Sequence, residues 1–324
     1  MRRGLIFAAL AAGWLCAPLA APAGPWHAPE HKSTWPAIVS GADQQAMAAS
    51  LDLGPDLERG RSPAFELAEQ RRLSGALAAL APQRKGVVDA YVVSIALDSD
   101  FVFGREAREA GRVLARRYDA AGRTLVLAGS DGSGPSALPQ GSLHSLSLAL
   151  ARIAELIDPR EDVLVLYLTS HGAPYGITYH DGDEGYGVLT PTRFAALLDG
   201  LGLRNRLLIL SACYSGVFVP ALGGEATALF TAAASDRTSF GCAADNDWTF
   251  FGDAMVNHAL RKPQPLAEAS GEAVGLIATW ELARSYEPSY PQASIGGGVD
   301  TWLKPLEARM PKAASAPVGK PAAR

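Results

Sequence analysis

A cysteine and a histidine, side chains that together can cut an amide bond, each stand just beyond an apolar run of this sequence. Cys213 follows the run at residues 207–210, and His171 follows the run at residues 162–169. A thiolate can attack a carbonyl carbon, and a nearby imidazole can assist the attack and then protonate the leaving amine. The pattern therefore predicts a nucleophilic site made of Cys213 and His171.

The residues beside this pair indicate how a reaction intermediate would be held. A tetrahedral intermediate needs hydrogen-bond donors for its oxyanion. Gly172 has no side chain that could keep its backbone N–H out of the site, and the N–H of Cys213 is equally placed. We therefore expect Gly172 and Cys213 to form an oxyanion hole; a simple turn glycine is the other interpretation of Gly172.

Strand and helix patterns alternate along most of the chain. Apolar runs predict strands at residues 87–97, 124–128, 162–169, 207–210 and 228–234. Helical patterns lie at residues 63–80, 104–118, 142–157, 190–200, 249–260 and 266–286. This alternation predicts an α/β fold with a mostly parallel sheet and helices on both faces. Reacting groups collect at the carboxyl ends of parallel strands, so we expect Cys213 and His171 to meet there.

Composition divides the chain into four parts. Residues 1–23 have a short basic start, an apolar stretch and the small residues Ala21-Pro22-Ala23, which is the pattern of a secretory signal peptide. Residues 24–84 are predicted to be an N-terminal extension with one helix, residues 85–303 the main domain, and residues 304–324 a disordered tail. The protein is therefore expected to be periplasmic or secreted, without stable membrane insertion after signal cleavage.

Charge and cysteine content narrow the class of partner and the redox chemistry. The formal net charge of −4 and the isoelectric point near 5.9 give no basic surface for nucleic acid, which we exclude as a partner. After signal cleavage, Cys213 and Cys242 remain, and an oxidising compartment would allow them to pair. We expect Cys213 to be a free thiol, because it ends a buried strand, and Cys242 to be structural.

Four short motifs together resemble a known family, the C13 peptidases. They are SHGAP at residues 170–174, ACYSG at 212–216, TAAA at 231–234 and FGD at 251–253. The C13 family contains the legumain-type cysteine peptidases of the caspase-like clan. The resemblance implies a caspase-like domain and a cysteine endopeptidase that hydrolyses peptide or protein substrates through an acyl-enzyme, with no cofactor and no metal.

The same resemblance implies a substrate pocket, with two departures from the family pattern. The family often has a glutamate two residues before its cysteine, where this chain has Ser211, and its Asn-Tyr-Arg-His segment appears here as FGRE at residues 103–106. By resemblance, Arg105, Ser211 and Asp253 bind the residue before the cut. An arginine and one carboxylate can hydrogen-bond both ends of an asparagine amide, which favours asparaginyl specificity. If Arg105 points elsewhere, Asp253 alone would select lysine or arginine.

Three other functions are compatible with parts of the sequence. A transamidase would use the same Cys-His site and pass the acyl group to an amine instead of water. A catalytically inactive caspase-like module would bind partners but has no need to keep the cysteine and the histidine together. A metal hydrolase could use His171, His180, Asp181, Asp183 and Glu184 as ligands, but their spacing is neither that of an EF-hand nor that of a helical histidine pair.

Overall fold

The protein is described from a computed structural model that covers residues 41–323. The predicted signal peptide at residues 1–23 and the first part of the extension lie outside the described residues, and so does the sequence evidence for export. In the described part of the chain, no helix has the length and apolar character needed to cross a membrane.

Helices and strands alternate from residue 90 to residue 231, as the sequence patterns predict. The helices are α1 (Gln44–Asp52), α2 (Pro63–Ala78), α3 (Phe101–Arg117), α4 (Leu143–Leu156), α5 (Pro191–Gly200), α6 (Val219–Leu222), α7 (Leu266–Ala283) and α8 (Asp300–Glu307). The strands are β1 (Leu57–Glu58), β2 (Ala90–Ala96), β3 (Thr124–Leu127), β4 (Val163–Thr169), β5 (Gly172–Ala173), β6 (Gly176–Asp181), β7 (Gly185–Leu189), β8 (Arg206–Ser211), β9 (Thr227–Thr231) and β10 (Gln292–Ile295).

A six-stranded sheet with the order β10-β9-β8-β4-β2-β3 forms the centre of the fold. All neighbouring strands are parallel except β10, which runs antiparallel to β9 at one edge. β4 and β8 are adjacent, and their ends are in register, with Thr169 opposite Ser211. The predicted meeting of these two strand ends is therefore confirmed.

Both faces of this sheet are covered, so its central strands are buried on both sides. One core packs residues of α3, α7 and α8 against the sheet, and a second core packs residues of α4 and α5 against the other face. β4 and β8 are buried along their whole length. This confirms the predicted α/β fold with a largely parallel sheet between helices, the arrangement of the caspase-like clan.

A second, smaller sheet is formed mainly by the chain between β4 and α5, a polar stretch for which the sequence predicts neither a strand nor a helix. Its order is β1-β7-β6-β5, and all its strands are antiparallel. Alternate side chains of this sheet, Ile177, Tyr179 and Leu189, are buried in the core. The acidic residues that suggested a loop occupy the turn between β6 and β7, where Gly182 has a φ of +50°. Because this turn is polar and the strands on either side of it are short, the sequence pattern does not predict β6 and β7.

The described part of the N-terminal extension is attached to the small sheet. The helix predicted in the extension is confirmed as α2, with Ser62 capping its start, whereas α1 and β1 had no sequence signal. The Arg61 guanidinium donates to the Asp181 carboxylate at 2.6 Å and to the Tyr179 hydroxyl at 2.8 Å. These hydrogen bonds hold the described part of the extension against the main domain.

The segment predicted as a disordered tail is packed against the domain. α8 extends to Glu307, and further on the amide of Val318 donates to Asn257 Oδ1 at 2.9 Å. The amide of Ala322 donates to the Asp253 carboxylate at 2.7 Å. The low-hydrophobicity composition was misleading because polar side chains of the domain bind this segment through its backbone.

Candidate active site

The backbones that carry Cys213 and His171 touch at the carboxyl edge of the sheet. The amide of Ser170 donates to the carbonyl oxygen of Ser211 at 3.2 Å. A Cβ atom on Gly172 would lie 2.0 Å from the carbonyl oxygen of Cys213, so no larger residue fits there. The close approach of these two backbone segments explains why residue 172 is a glycine. The sequence alone allowed two roles for it, an oxyanion donor or a turn residue.

The chain turns sharply after the cysteine. Tyr214 has a φ of 56°, in the left-handed region that side chains other than glycine rarely adopt. Its amide donates to the carbonyl oxygen of Arg237 at 2.8 Å, and the amide of Gly216 donates to that of Ala233 at 2.9 Å. Backbone strain of this kind persists only where surrounding bonds impose it, and it concentrates at functional sites. The turn fixes Cys213 at the end of β8.

The surroundings of the Cys213 sulfur favour its ionised form. Hydrogen bonding from the Cys242 thiol, the amide of Ser239 and the charge of His171 lower the pKa of Cys213 to about 6 against the opposing effect of burial. The Ser239 amide lies 3.2 Å from the Cys213 sulfur. The pKa of Cys242 is raised by the same hydrogen bond and by burial, so Cys213 is the thiol that ionises.

Cys242 therefore belongs to the site and is not the purely structural residue that the sequence suggested. Both cysteines are free thiols in this structure. Sequence reasoning missed the contact because the loop that carries Cys242 has no regular pattern and reaches the site only through the tertiary fold.

His171 is held more loosely than the cysteine. Its carbonyl oxygen accepts from the amide and the hydroxyl of Thr178, each at 3.0 Å, so the backbone is fixed. The ring packs edge-on against Phe103, with centroids 5.0 Å apart, and its Nε2 lies 3.5 Å from Asp100 Oδ2. The His171 and Asp100 side chains are 43% and 50% exposed. The imidazole acts on the Cys213 thiol through its charge, and no hydrogen bond joins the two among the described residues.

Two aspartates follow β2 and face the histidines of the site. Asp98 is buried, and its Oδ2 lies 3.3 Å from His180 Nδ1. Burial raises the pKa of Asp98, against the opposing effects of the Asp100 amide and the charges of both histidines. Ligand atoms of Asp98, Asp100 and His171 lie within 4.8 Å of one another, the one group within residues 41–323 that could hold a metal ion. Of the ligand set considered from the sequence, it includes only His171.

Glu106 is a buried carboxylate directly beneath the two strand ends. It accepts hydrogen bonds from the hydroxyls of Thr169 at 2.7 Å and Ser211 at 3.1 Å, from the amide of Thr249 at 2.7 Å, and from the hydroxyl of Tyr167. Burial raises the pKa of Glu106, against the opposing effect of these donors. The carboxylate thus connects β4 and β8 to Thr249, which lies just before the helical segment Gly252–His258.

The signal for Glu106 was in the sequence but was interpreted as a departure from the family pattern. Ser211 stands where the family often has a glutamate, and its hydroxyl donates to Glu106. A Cβ atom on Gly252 would lie 2.2 Å from Glu106 Oε2, so this glycine leaves room for the carboxylate. In this chain, a carboxylate beside the strand end is supplied from α3.

The structure contradicts the pocket predicted from Arg105, Ser211 and Asp253. Asp253 is fully buried, where it accepts from Asn257 Nδ2 at 2.8 Å and from the amide of Ala322 at 2.7 Å. Ser211 is also buried, and its hydroxyl donates to the Glu106 carboxylate. The position of Asp253 in the sequence does not show which way its side chain points. In the structure, Asp253 lies in the helical segment Gly252–His258 and its carboxylate points into the core.

Arg105 instead has a partner that the sequence analysis did not select. Its Nε lies 3.2 Å from Asp247 Oδ1, and the guanidinium also donates to the carbonyl oxygens of Asn246 and, at 3.0 Å, Asp131. Both members of the ion pair are partly exposed, at 27% and 26%. Arg105 and Asp247 are therefore a partly exposed ion pair near the start of α3.

Comparison with known families agrees with the site and the fold. The sequence profile of the Peptidase C13 family matches residues 149–282, which include both His171 and Cys213. A search of curated proteins finds no match. The matched segment runs from the middle of α4 to the end of α7 and includes the adjacent strands β4 and β8. This match supports the resemblance to the C13 peptidases that the sequence motifs indicate.

Proposed function

We propose that the protein is a cysteine endopeptidase in which Cys213 is the nucleophile and His171 the general acid and base. The observation that carries the proposal is the lowered pKa of a thiol at the end of β8, next to an imidazole at the end of β4. A thiol with a pKa of about 6 is mostly thiolate at neutral pH. Thiolate is the nucleophilic form of cysteine, and perturbed groups of this kind concentrate at functional sites.

The proposed reaction has two steps on the same pair of residues. The thiolate of Cys213 attacks the carbonyl carbon of the scissile bond, and the imidazolium of His171 gives a proton to the leaving amine, which releases the first product and leaves an acyl-enzyme. His171 then removes a proton from water, which attacks the thioester and frees Cys213. We assign the backbone N–H groups of Gly172 and Cys213 to the oxyanion, as the sequence analysis proposed.

We also propose asparaginyl specificity, with Arg105 and Asp247 as the binding groups in place of Arg105, Ser211 and Asp253. Arg105 is partnered by Asp247, and Asn246 Nδ2 donates to the carbonyl oxygen of Gly241 at 2.9 Å. Gly241 adjoins Cys242, whose thiol contacts Cys213. Arg105 could donate to the amide oxygen of an asparagine while Asp247 accepts from its nitrogen. Asp247→Asn should then reduce cleavage after asparagine more than it reduces cleavage after alanine.

The central test is the loss of activity when the nucleophile is removed. Cys213→Ala is expected to lower the rate of peptide cleavage by roughly 10³-fold or more, because it removes the ionised thiol that the proposed acyl-enzyme requires. The measurement is hydrolysis of internally quenched peptides, with circular dichroism to show that the variant is folded. Peptide cleavage by folded Cys213→Ala at the wild-type rate would exclude the mechanism.

Chemical labelling gives an independent test of the same site. Iodoacetamide at neutral pH should modify Cys213 before Cys242 and abolish activity, because only Cys213 is ionised there. Adding an amine acceptor to the assay and analysing the products by mass spectrometry would detect a transamidase. A folded protein whose Cys213 reacts with iodoacetamide, but which neither cleaves nor transfers before it is labelled, would instead be an inactive module.

The location proposed from residues 1–23 can be tested without an activity assay. The mature protein should begin near Gly24 and be recovered in the periplasmic or extracellular fraction. N-terminal sequencing of the purified protein measures this. An intact Met1 in a cytoplasmic fraction would contradict the proposal.

A further inference from the structure

A cavity of about 430 Å³ opens beside His171, between the small sheet and the N-terminal extension. Leu51 and Pro55 of the extension form one wall, and Tyr186 and Val188 of β7 form another. His171 itself lies in the lining, together with Asp98 and His180. The size is within the range of small-ligand pockets, and the walls away from the histidines are largely apolar.

The walls of the cavity result from the alternation of side chains in the small sheet. β6 and β7 pair with Thr178 opposite Val188 and His180 opposite Tyr186. Because successive residues of a strand point to opposite faces, these four side chains line the cavity, while Ile177 and Leu189 are buried in the core. The opening is therefore built into the sheet.

The wall contributed by the extension is fastened by polar contacts. The Thr190 hydroxyl donates to Asp52 Oδ1 at 2.5 Å, and the Arg193 guanidinium donates to both carboxylate oxygens of Asp56 at 3.2 and 3.1 Å. Leu57 also pairs with Tyr186 across the two strands. Leu51, in the last turn of α1 next to Asp52, is only 5% exposed. The extension therefore presents a fixed apolar surface to the neighbourhood of His171.

The role of His171 in the proposed function decides which part of a substrate this cavity meets. The leaving amine must come within hydrogen-bond reach of the imidazole to receive its proton. That amine belongs to the residue after the cut, and each further residue extends the chain by about 3.3–3.6 Å. The side chains of the first two residues after the cut therefore pass the cavity in whose wall His171 lies.

We propose that this cavity is a specificity pocket for an apolar side chain on the leaving-group side of the scissile bond, and that the N-terminal extension completes it. The inference rests on the proposed function. An aliphatic or aromatic side chain buried against Leu51 and Val188 gains the free energy of removing apolar surface from water, whereas a glycine gains none. A charged side chain would lose hydration without a partner on these walls.

The test is a set of internally quenched peptides that differ only in the two positions after the cut. Peptides with leucine or phenylalanine there are expected to have a kcat/KM about 10- to 100-fold above that of the Gly-Gly peptide. Val188→Asp should remove this preference and favour lysine at the same positions. Val274→Asp, the same change at an exposed valine of α7, is the matched control and should leave the ranking unchanged.

The outcomes separate the pocket from the chemistry. Wild-type protein that cleaves all peptides equally, or a folded Val188→Asp that keeps the leucine preference, would overturn the pocket and leave the proposed function standing. If the wild type cleaves no peptide in the set, the proposed function fails and the pocket with it. Should Val188→Asp not fold, Val188→Thr keeps the shape and adds one hydroxyl, and it should reduce the preference for leucine; an unreduced preference would count against the pocket.

Discussion

The two halves of the candidate site are built differently. On the cysteine side, Cys213 is fixed by the left-handed turn at Tyr214, by backbone hydrogen bonds and by the Glu106 network beneath it. On the histidine side, the His171 ring and Asp100 are about half exposed and border an open cavity. The proposed nucleophile is thus held in place by the fold itself, whereas the imidazole borders open space. Four substitutions test whether this contrast is functional.

Removing the imidazole should have the largest effect of the four. His171→Ala is expected to lower kcat by about 10²–10⁴-fold, which is the usual contribution of a positioned acid-base group. His144→Ala, at an exposed histidine on α4, is the matched control and should leave kcat unchanged. Steady-state kinetics on one peptide measures both variants. Equal kcat values for the two would mean that the histidine side takes no part in the chemistry.

Disrupting the support under the cysteine should mainly cost stability. Glu106→Ala leaves several buried donors without an acceptor, and each costs about 1–3 kcal/mol, so unfolding free energy should fall by at least about 3 kcal/mol. Glu106→Gln keeps the shape and should lose less. Urea denaturation followed by fluorescence measures both. A Glu106→Ala protein as stable as wild type would show that this half of the site is not held by the carboxylate.

Removing the second thiol should change the pH dependence of the cysteine side. Cys242→Ala deletes the hydrogen bond that contributes most to lowering the pKa of Cys213, so that pKa should rise from about 6. Because activity requires thiolate, the acid limb of kcat/KM should move to higher pH, with a loss at pH 6 of about fivefold for the first pKa unit of increase and about tenfold for each further unit. At alkaline pH the variant should approach wild type. An unshifted acid limb would mean that Cys242 does not affect the nucleophile.

The smallest effect is expected on the exposed ion pair of the histidine side. Asp100→Asn keeps the shape of the side chain but removes the charge beside His171 Nε2. Exposed pairs of this kind contribute about 0.2–1 kcal/mol, so kcat should fall by no more than about fivefold. The loss should shrink as salt is added. A hundredfold loss would show that the histidine depends on Asp100 as firmly as the cysteine depends on its own partners.

The sequence predicted the elements that position the pair better than it predicted the groups that surround it. The buried runs that became β4 and β8 carry a strong periodic signal, and parallel neighbours bring their ends together without further information. Cys242, Asp100 and Glu106 reach the site from other segments of the chain. Their contacts depend on side-chain direction in the folded state, which one sequence does not encode locally.

The errors have the same physical origin. Asp253 was taken for a pocket carboxylate because its motif resembles the family, but the residue faces the core and binds the amide of Ala322. The segment after Lys304 was taken for disordered because it has few apolar residues, but it is held by hydrogen bonds of its backbone. The composition of a segment indicates how much apolar surface it can bury. It does not indicate which distant side chains will form hydrogen bonds with its backbone.

The contact between Gly172 and the Cys213 carbonyl has a consequence for mutational scanning. Any Cβ at position 172 would lie 2.0 Å from a backbone oxygen, which no rotamer can relieve. In a library with random codons at this position, selection for folded protein alone should return glycine, even in a background where Cys213 has been replaced by alanine. Invariance at this position would therefore record the spacing of two strands, and it would persist in descendants that had lost the reaction.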